Sequence, residues 1–198
     1  MSDRGYGYIK IGGAILEENI EELCHRITQE GANLGFDEFD KERDDLEELY
    51  YHGSLNPKTL AHLVKIAEVN NGLIVLSDTQ ACEGCFEHLE HFCVANKIDF
   101  NRHSDQLSFC SAQEVYFRLE HELIEANSNN DGTHLIHEEA VMAAIDLLEK
   151  HETVKALKHL KELITEVPDL RPVTFKMKDG TTITPKVEVL AAKESEHA

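Results

Sequence analysis

At 198 residues the chain is long enough for one well-buried core, or one domain with a small appendage, and too short for two ordinary enzyme domains. Its 38 Asp and Glu against 19 Lys and Arg give a formal net charge of −19, which repels phosphate backbones and anionic lipids and argues against direct nucleic-acid binding or membrane docking. Apolar residues make up 41%, enough for a globular core; no apolar run approaches about 18 residues and Met1 to Tyr6 carries no apolar leader, so a cytoplasmic protein without a transmembrane span is expected.

Tyr6, Tyr8, Ile9 and Ile11 form a β-favouring run that closes at Gly12-Gly13. Leu16, Ile20, Leu23 and Ile27 recur at three and four residues and predict a helix from about Glu17. Glu17, Glu18, Glu21 and Glu22 fill its first turns, where the helix dipole favours negative charge, and Gly31 is its stop. Phe39, Leu46, Leu49 and Tyr50 share one face of a second helix, about Glu38 to Tyr51. Asn56 as N-cap and Pro57 at the first helical position open a third, with Leu60, Leu63, Val64 and Ala67 inward and Asn70-Asn71-Gly72 at its end.

The short apolar run Leu73 to Leu76 predicts a buried strand, and Phe86, Leu89, Phe92 and Cys93 the inner stripe of a fourth helix. Ile98 to Asn101 is a further strand. Leu107 and Phe109, then Val115, Phe117 and Leu119, alternate as strands joined near Ser111, although Ser111-Ala112-Gln113-Glu114 also has the pattern of a capping box. Asn127 to Gly132 is a polar loop. Ala140, Val141, Ala144, Ile145 and Leu148 predict one helix, and Val154, Leu157, Leu160, Leu163 and Ile164 another. Val173 to Val189 reads as a β-hairpin with Asp179-Gly180 as a two-residue turn. The expected fold is α+β, or α/β, with helices packed on a small mixed sheet. Residues 1–126 would form the core domain, and 127–198 a helical pair plus hairpin packed on it.

The charge is concentrated. Residues 17–48 hold thirteen acidic and three basic side chains, a net of −10 and over half the total. On amphipathic helices these acids face outward and repel neighbours three and four residues away. Such rows of carboxylates resemble a phosphate backbone, and the same electrostatic drive would seat them in a basic groove. Glu38, Asp40, Glu42, Asp44, Asp45, Glu47 and Glu48 are the candidate partner-binding residues.

Five cysteines, an odd number, fit reduced thiols better than a disulfide scaffold. Cys82-Glu83-Gly84-Cys85 lies at a strand-to-helix junction, a local layout similar to the thioredoxin and glutaredoxin motif, in which a helix N-terminus stabilises a thiolate. The proline that faces the dithiol in that family has no counterpart, since no Pro occurs between Pro57 and Pro168. The same pair has zinc-knuckle spacing, and Cys82, Cys85, His88 and Cys110 form a candidate zinc set, set against ordinary thiols near a helix start. Asn127, Asn129, Asp131, Gly132 and Glu138 overlay an EF-hand loop at positions one, three, five, six and twelve, a candidate calcium site. Asn127 replaces the usual Asp, and a polar turn before a capped helix explains the same residues. Arg102-His103-Ser104-Asp105 gathers a cation, an imidazole, a hydroxyl and a carboxylate, but no catalytic set emerges from the sequence.

Gly7-Tyr8-Ile9-Lys10-Ile11-Gly12-Gly13 and Ile98-Asp99-Phe100-Asn101-Arg102-His103-Ser104-Asp105 resemble stretches of small acidic proteins encoded on bacterial plasmids and phages. The resemblance implies a mobile-element setting and no activity. The function expected is that of a non-enzymatic acidic interaction protein, with a basic protein surface or nucleic-acid-binding complex as partner and no cofactor. A zinc or thiol-redox domain centred on Cys82 and Cys85 is the alternative.

Overall fold

A computed structural model describes residues 4–34, 44–107, 111–119, 121, 123–129, 132–163 and 167–187. Among these residues five α-helices and eleven strands form an α+β fold. The chain enters on β1 (Arg4–Gly12), whose Ile9 and Ile11 point into the core while Tyr8 and Lys10 point away, as the pleat requires. β1 lies between β6 (Ile74–Cys82) and β7 (Asp99–Ser104). β3 (Asn33–Leu34) lies outside β6, and β8 (Ala112–Phe117) and β9 (Ile124–Ser128) extend the other edge. The order is β3-β6-β1-β7-β8-β9 and every pairing in this sheet is antiparallel. Parallel pairing occurs, among the described residues, only between β2 (Ala14–Leu16) and β10 (Thr174–Lys176) in a second, three-stranded sheet completed by β11 (Thr182–Ile183).

The first helix follows its predicted face. A 3-10 turn, Glu17–Asn19, leads into α1 (Ile20–Glu30), which buries Ile20, Leu23, Cys24 and Ile27. Gly31 ends it in the left-handed conformation at φ 66°, where a side chain would be strained. α2 (Leu60–Val69) and α3 (Glu87–Ala95) join α1 over the inner face of the large sheet, and Leu63, Ile66, Leu89, Phe100 and Leu76 are fully buried there. The N-cap of α2 is Thr59, whose hydroxyl accepts the His62 N–H. Asn56 instead lies against the hydroxyl of Thr28 at 3.2 Å.

The helix expected over Glu38–Tyr51 is corrected in its described part. Asp44–Leu49 is a 3-10 turn that buries Leu46 and Leu49, and the chain then becomes β4 (Tyr50–Tyr51), paired with β5 (Ser54–Leu55). His52 and Gly53 at φ 52° and 85° make the positive-φ, two-residue turn that a tight hairpin needs, and this stops helical winding. β7 runs on to Ser104, and β9 occupies the residues just before and at the start of the expected polar loop. In the C-terminal hairpin the Met177 N–H reaches the Thr181 carbonyl, so the loop is the three residues Lys178-Asp179-Gly180.

That hairpin belongs to the core, because β10 pairs with β2 and Val173 and Phe175 are fully buried. The buried Arg118 guanidinium donates to the Phe100, Phe117 and Pro168 carbonyls and ties the returning chain to the sheet. The boundary expected at 126/127 therefore falls inside β9. What projects is one helical pair, α4 (Glu138–Glu149) and α5 (Thr153–Leu163), packed on each other with only Ala144 and Ala156 buried. No helix among the described residues is long and apolar enough to cross a membrane.

Candidate functional site

The acidic strip divides into two parts. Along α1 and the turn before it, the buried stripe leaves Glu18 and Glu21 exposed and Glu22 partly so, with Glu22 2.6 Å from Arg26. Glu17 accepts the Lys178 N–H, and Glu30 turns inward. Of the predicted partner-binding residues, Glu38, Asp40 and Glu42 lie outside the described residues. Asp44, Asp45 and Glu47 sit on the 3-10 turn, and their side chains are not among those described. Glu48 is exposed but not free: Lys65 donates to it at 3.0 Å and holds its carboxyl below the usual range. Water screens an exposed pair of this kind, and it leaves the negative face in place.

The cysteine turn sits where strand β6 meets α3. Cys85 N–H closes on the Cys82 carbonyl, with Glu83 and Gly84 both at positive φ. Cys82, Cys85 and His88 come to the same cleft of about 650 Å³, together with Arg4, Glu30 and Asp78. Among the described residues, however, no three His, Cys, Asp or Glu side chains converge closely enough to hold a metal ion, and Cys110 lies outside them. Around the thiols the charge is negative. Two carboxylates already occupy the N-terminus of α3: Glu90 accepts the Phe86 N–H at 2.9 Å and Glu30 the Leu89 N–H at 3.0 Å. Burial pushes the Cys85 thiol up, against the direction that a nucleophilic thiolate needs.

The residues of the candidate calcium loop lie at the connection from β9 to α4. Asn127 stands in β9 opposite Gln113, so a strand and not a helix enters the loop. Its amide faces His137 Nε2 at 3.3 Å, and Asn129 Oδ1 accepts the Thr133 N–H at 2.8 Å. Glu138 begins α4 and is exposed, while Asp131 lies outside the described residues. These bonds make a polar reversal of the chain at the positive-φ Gly132.

Arg102, His103, Ser104 and Asp105 do not form one site, because the strand alternates them between two faces. Arg102 and Ser104 face inward. The buried Arg102 guanidinium donates to Ser104 Oγ at 2.9 Å and Gln113 Oε1 at 2.8 Å, and its Nε lies 3.3 Å from Glu90 without hydrogen-bond geometry. His103 faces outward yet is only 3% exposed. Its Nδ1 is 2.6 Å from Glu114 Oε1 and its Nε2 3.0 Å from Asp105 Oδ1, and the Tyr8 ring stacks on it at 5.1 Å. Tyr116 lies beside Glu114 and meets His134 Nε2 at 2.7 Å; burial first, then Glu114, raises its hydroxyl to about 12.

Glu114 and Tyr8 were not legible as partners of His103, nor His134 as the partner of Tyr116. The signal is the β7–β8 register, which sets His103 opposite Glu114. The network joins β1, β7 and β8 and reaches His134. Comparison with family models, with curated proteins and with solved structures finds no match to this chain.

Proposed function

We propose that the protein is a non-enzymatic interaction protein that sets a carboxylate-rich face into the nucleic-acid-binding groove of a basic partner. The observation that supports it most is the division of α1 and its leading turn. Ile20, Leu23 and Ile27 anchor the helix in the core, and Glu18, Glu21 and Glu22 are left outward with Arg26 as the one cation of the helix. The sequence continues this charge through Asp44, Asp45, Glu47 and Glu48. Attraction of such a face for a basic groove releases counterions as DNA does, and so falls steeply with salt. A plasmid or phage protein that blocks a host nucleic-acid-binding complex is the setting we propose.

The experiment is displacement. A bacterial extract is bound to immobilised DNA at low salt and the protein is added. Release of a discrete set of DNA-binding proteins, lost when Glu18, Glu21, Glu42, Asp45 and Glu48 are all changed to Lys, supports the reading. No release, or equal release by the reversed chain, rejects it.

A second reading, a zinc or thiol centre, has one observation in its favour, the shared cleft of Cys82, Cys85 and His88. Stoichiometric zinc in protein purified without chelator selects it over the first.

A further inference from the structure

The projecting helical pair has an apolar face that none of the described residues covers. Val141, Met142, Ile145 and Leu148 of α4 are 38–50% exposed, and Val154 and Leu157 of α5 are 82% and 53% exposed. At 100° per residue, Val141, Ile145 and Leu148 fall on one flank of the line through the buried Ala144. Leu157 and Val154 fall on the corresponding flank from Ala156. Because the two helices are antiparallel neighbours, these flanks lie on the same side of the pair and make one surface. Helices of 12 and 11 residues that bury two alanines between them gain little from mutual packing. A contiguous apolar surface of this kind marks an interface.

Charge identifies the occupant. α4 carries Glu138, Glu139, Asp146 and Glu149 and no cation. α5 carries Lys155, Lys158 and Lys161 against the single Glu162, a basic helix in a chain of net charge −19. Glu138 and Glu149 border the apolar flank of α4, and Lys158 and Lys161 border that of α5. Two copies meeting face to face about a two-fold axis parallel to the helices set α4 on the partner's α5, acid rim against basic rim. Turning one copy by the other in-plane axis sets α4 on α4 and brings carboxylates together. A self-complementary surface is what a two-fold dimer requires.

We infer that this face binds a second copy of the chain, forming an antiparallel four-helix bundle in which α4 of each protomer packs on α5 of the other. The inference is independent of the acidic face of α1, so either can fail alone.

The test is molar mass by light scattering and sedimentation on the full chain. The expected result is a species of twice 22.4 kDa at micromolar concentration. Ile145→Asp with Leu157→Asp makes it monomeric with its circular dichroism otherwise retained. Lys158→Glu with Lys161→Glu, and separately Glu138→Lys with Glu149→Lys, each weaken self-association at least tenfold. Mixing those two variants restores a dimer, because both rims are then matched, and this recovery also shows that each had folded. A wild-type monomer at high concentration, a dimer indifferent to the rim charges, or variants that stay monomeric when mixed overturns the inference.

Discussion

The Gly84 carbonyl oxygen lies where a Cβ on Gly7 would have to go, so the cysteine turn and the central strand β1 are in backbone contact. The contact holds Cys82 and Cys85 at the sheet's end. Gly7→Ala must push the turn away, and we expect a loss of about 2–3 kcal/mol, measured as a lower urea midpoint. An unchanged midpoint contradicts the close approach.

Glu114 and His103 are both nearly removed from water and face each other at 2.6 Å. Glu114→Ala leaves an imidazole nitrogen buried without this partner and is expected to cost about 2–3 kcal/mol. Glu114→Gln keeps an acceptor and should cost less. Denaturant unfolding of the two variants checks the order, and equal losses would show that the bond does not carry the effect.

The thiols differ in access and acidity. Burial pushes Cys24 to about 11 and raises Cys93 strongly, while Cys82 is exposed. At pH 8 a chromogenic disulfide reagent should label Cys82 within the first phase and leave Cys24 and Cys93 until the protein is denatured. Peptide mapping after a short pulse reads this directly. Early label on Cys24 or Cys93 contradicts the burial.

Glu30 supports α3 through the Leu89 N–H, yet burial, the largest influence on it, raises its carboxyl above 4.5. A group raised on folding stabilises below its unfolded value and loses that contribution as pH climbs through the folded value. Glu30→Gln should therefore flatten stability against pH from about pH 4.5 upward, gaining relative to the parent chain at neutral pH. Thermal melts across pH 4–7 measure the difference, and parallel curves refute it.

The helices were legible where one apolar stripe meets one core, as with Leu23 and Ile27 or Leu63 and Ala67. The helix over Tyr50 was misread because His52-Gly53 acts through turn geometry, which apolar spacing does not encode. Ile124 to Ser128 escaped notice because Glu125, Asn127 and Ser128 give an edge strand no apolar rhythm. The His103–Glu114 pair needed a register between two strands, which the alternation of either strand alone leaves open. The cysteine cluster was legible as a motif, but its electrostatics depend on Glu30 and Glu90, and Glu30 is far away in sequence.

The acidic face proposed here would act by charge. Its most direct measurement is the affinity of the protein for a DNA-binding protein it displaces, followed over increasing salt. The account predicts that log K falls linearly and steeply with log salt, and that reversing Glu18, Glu21, Glu42, Asp45 and Glu48 abolishes binding at the lowest salt used. An affinity that ignores salt, or that survives the reversal, contradicts it.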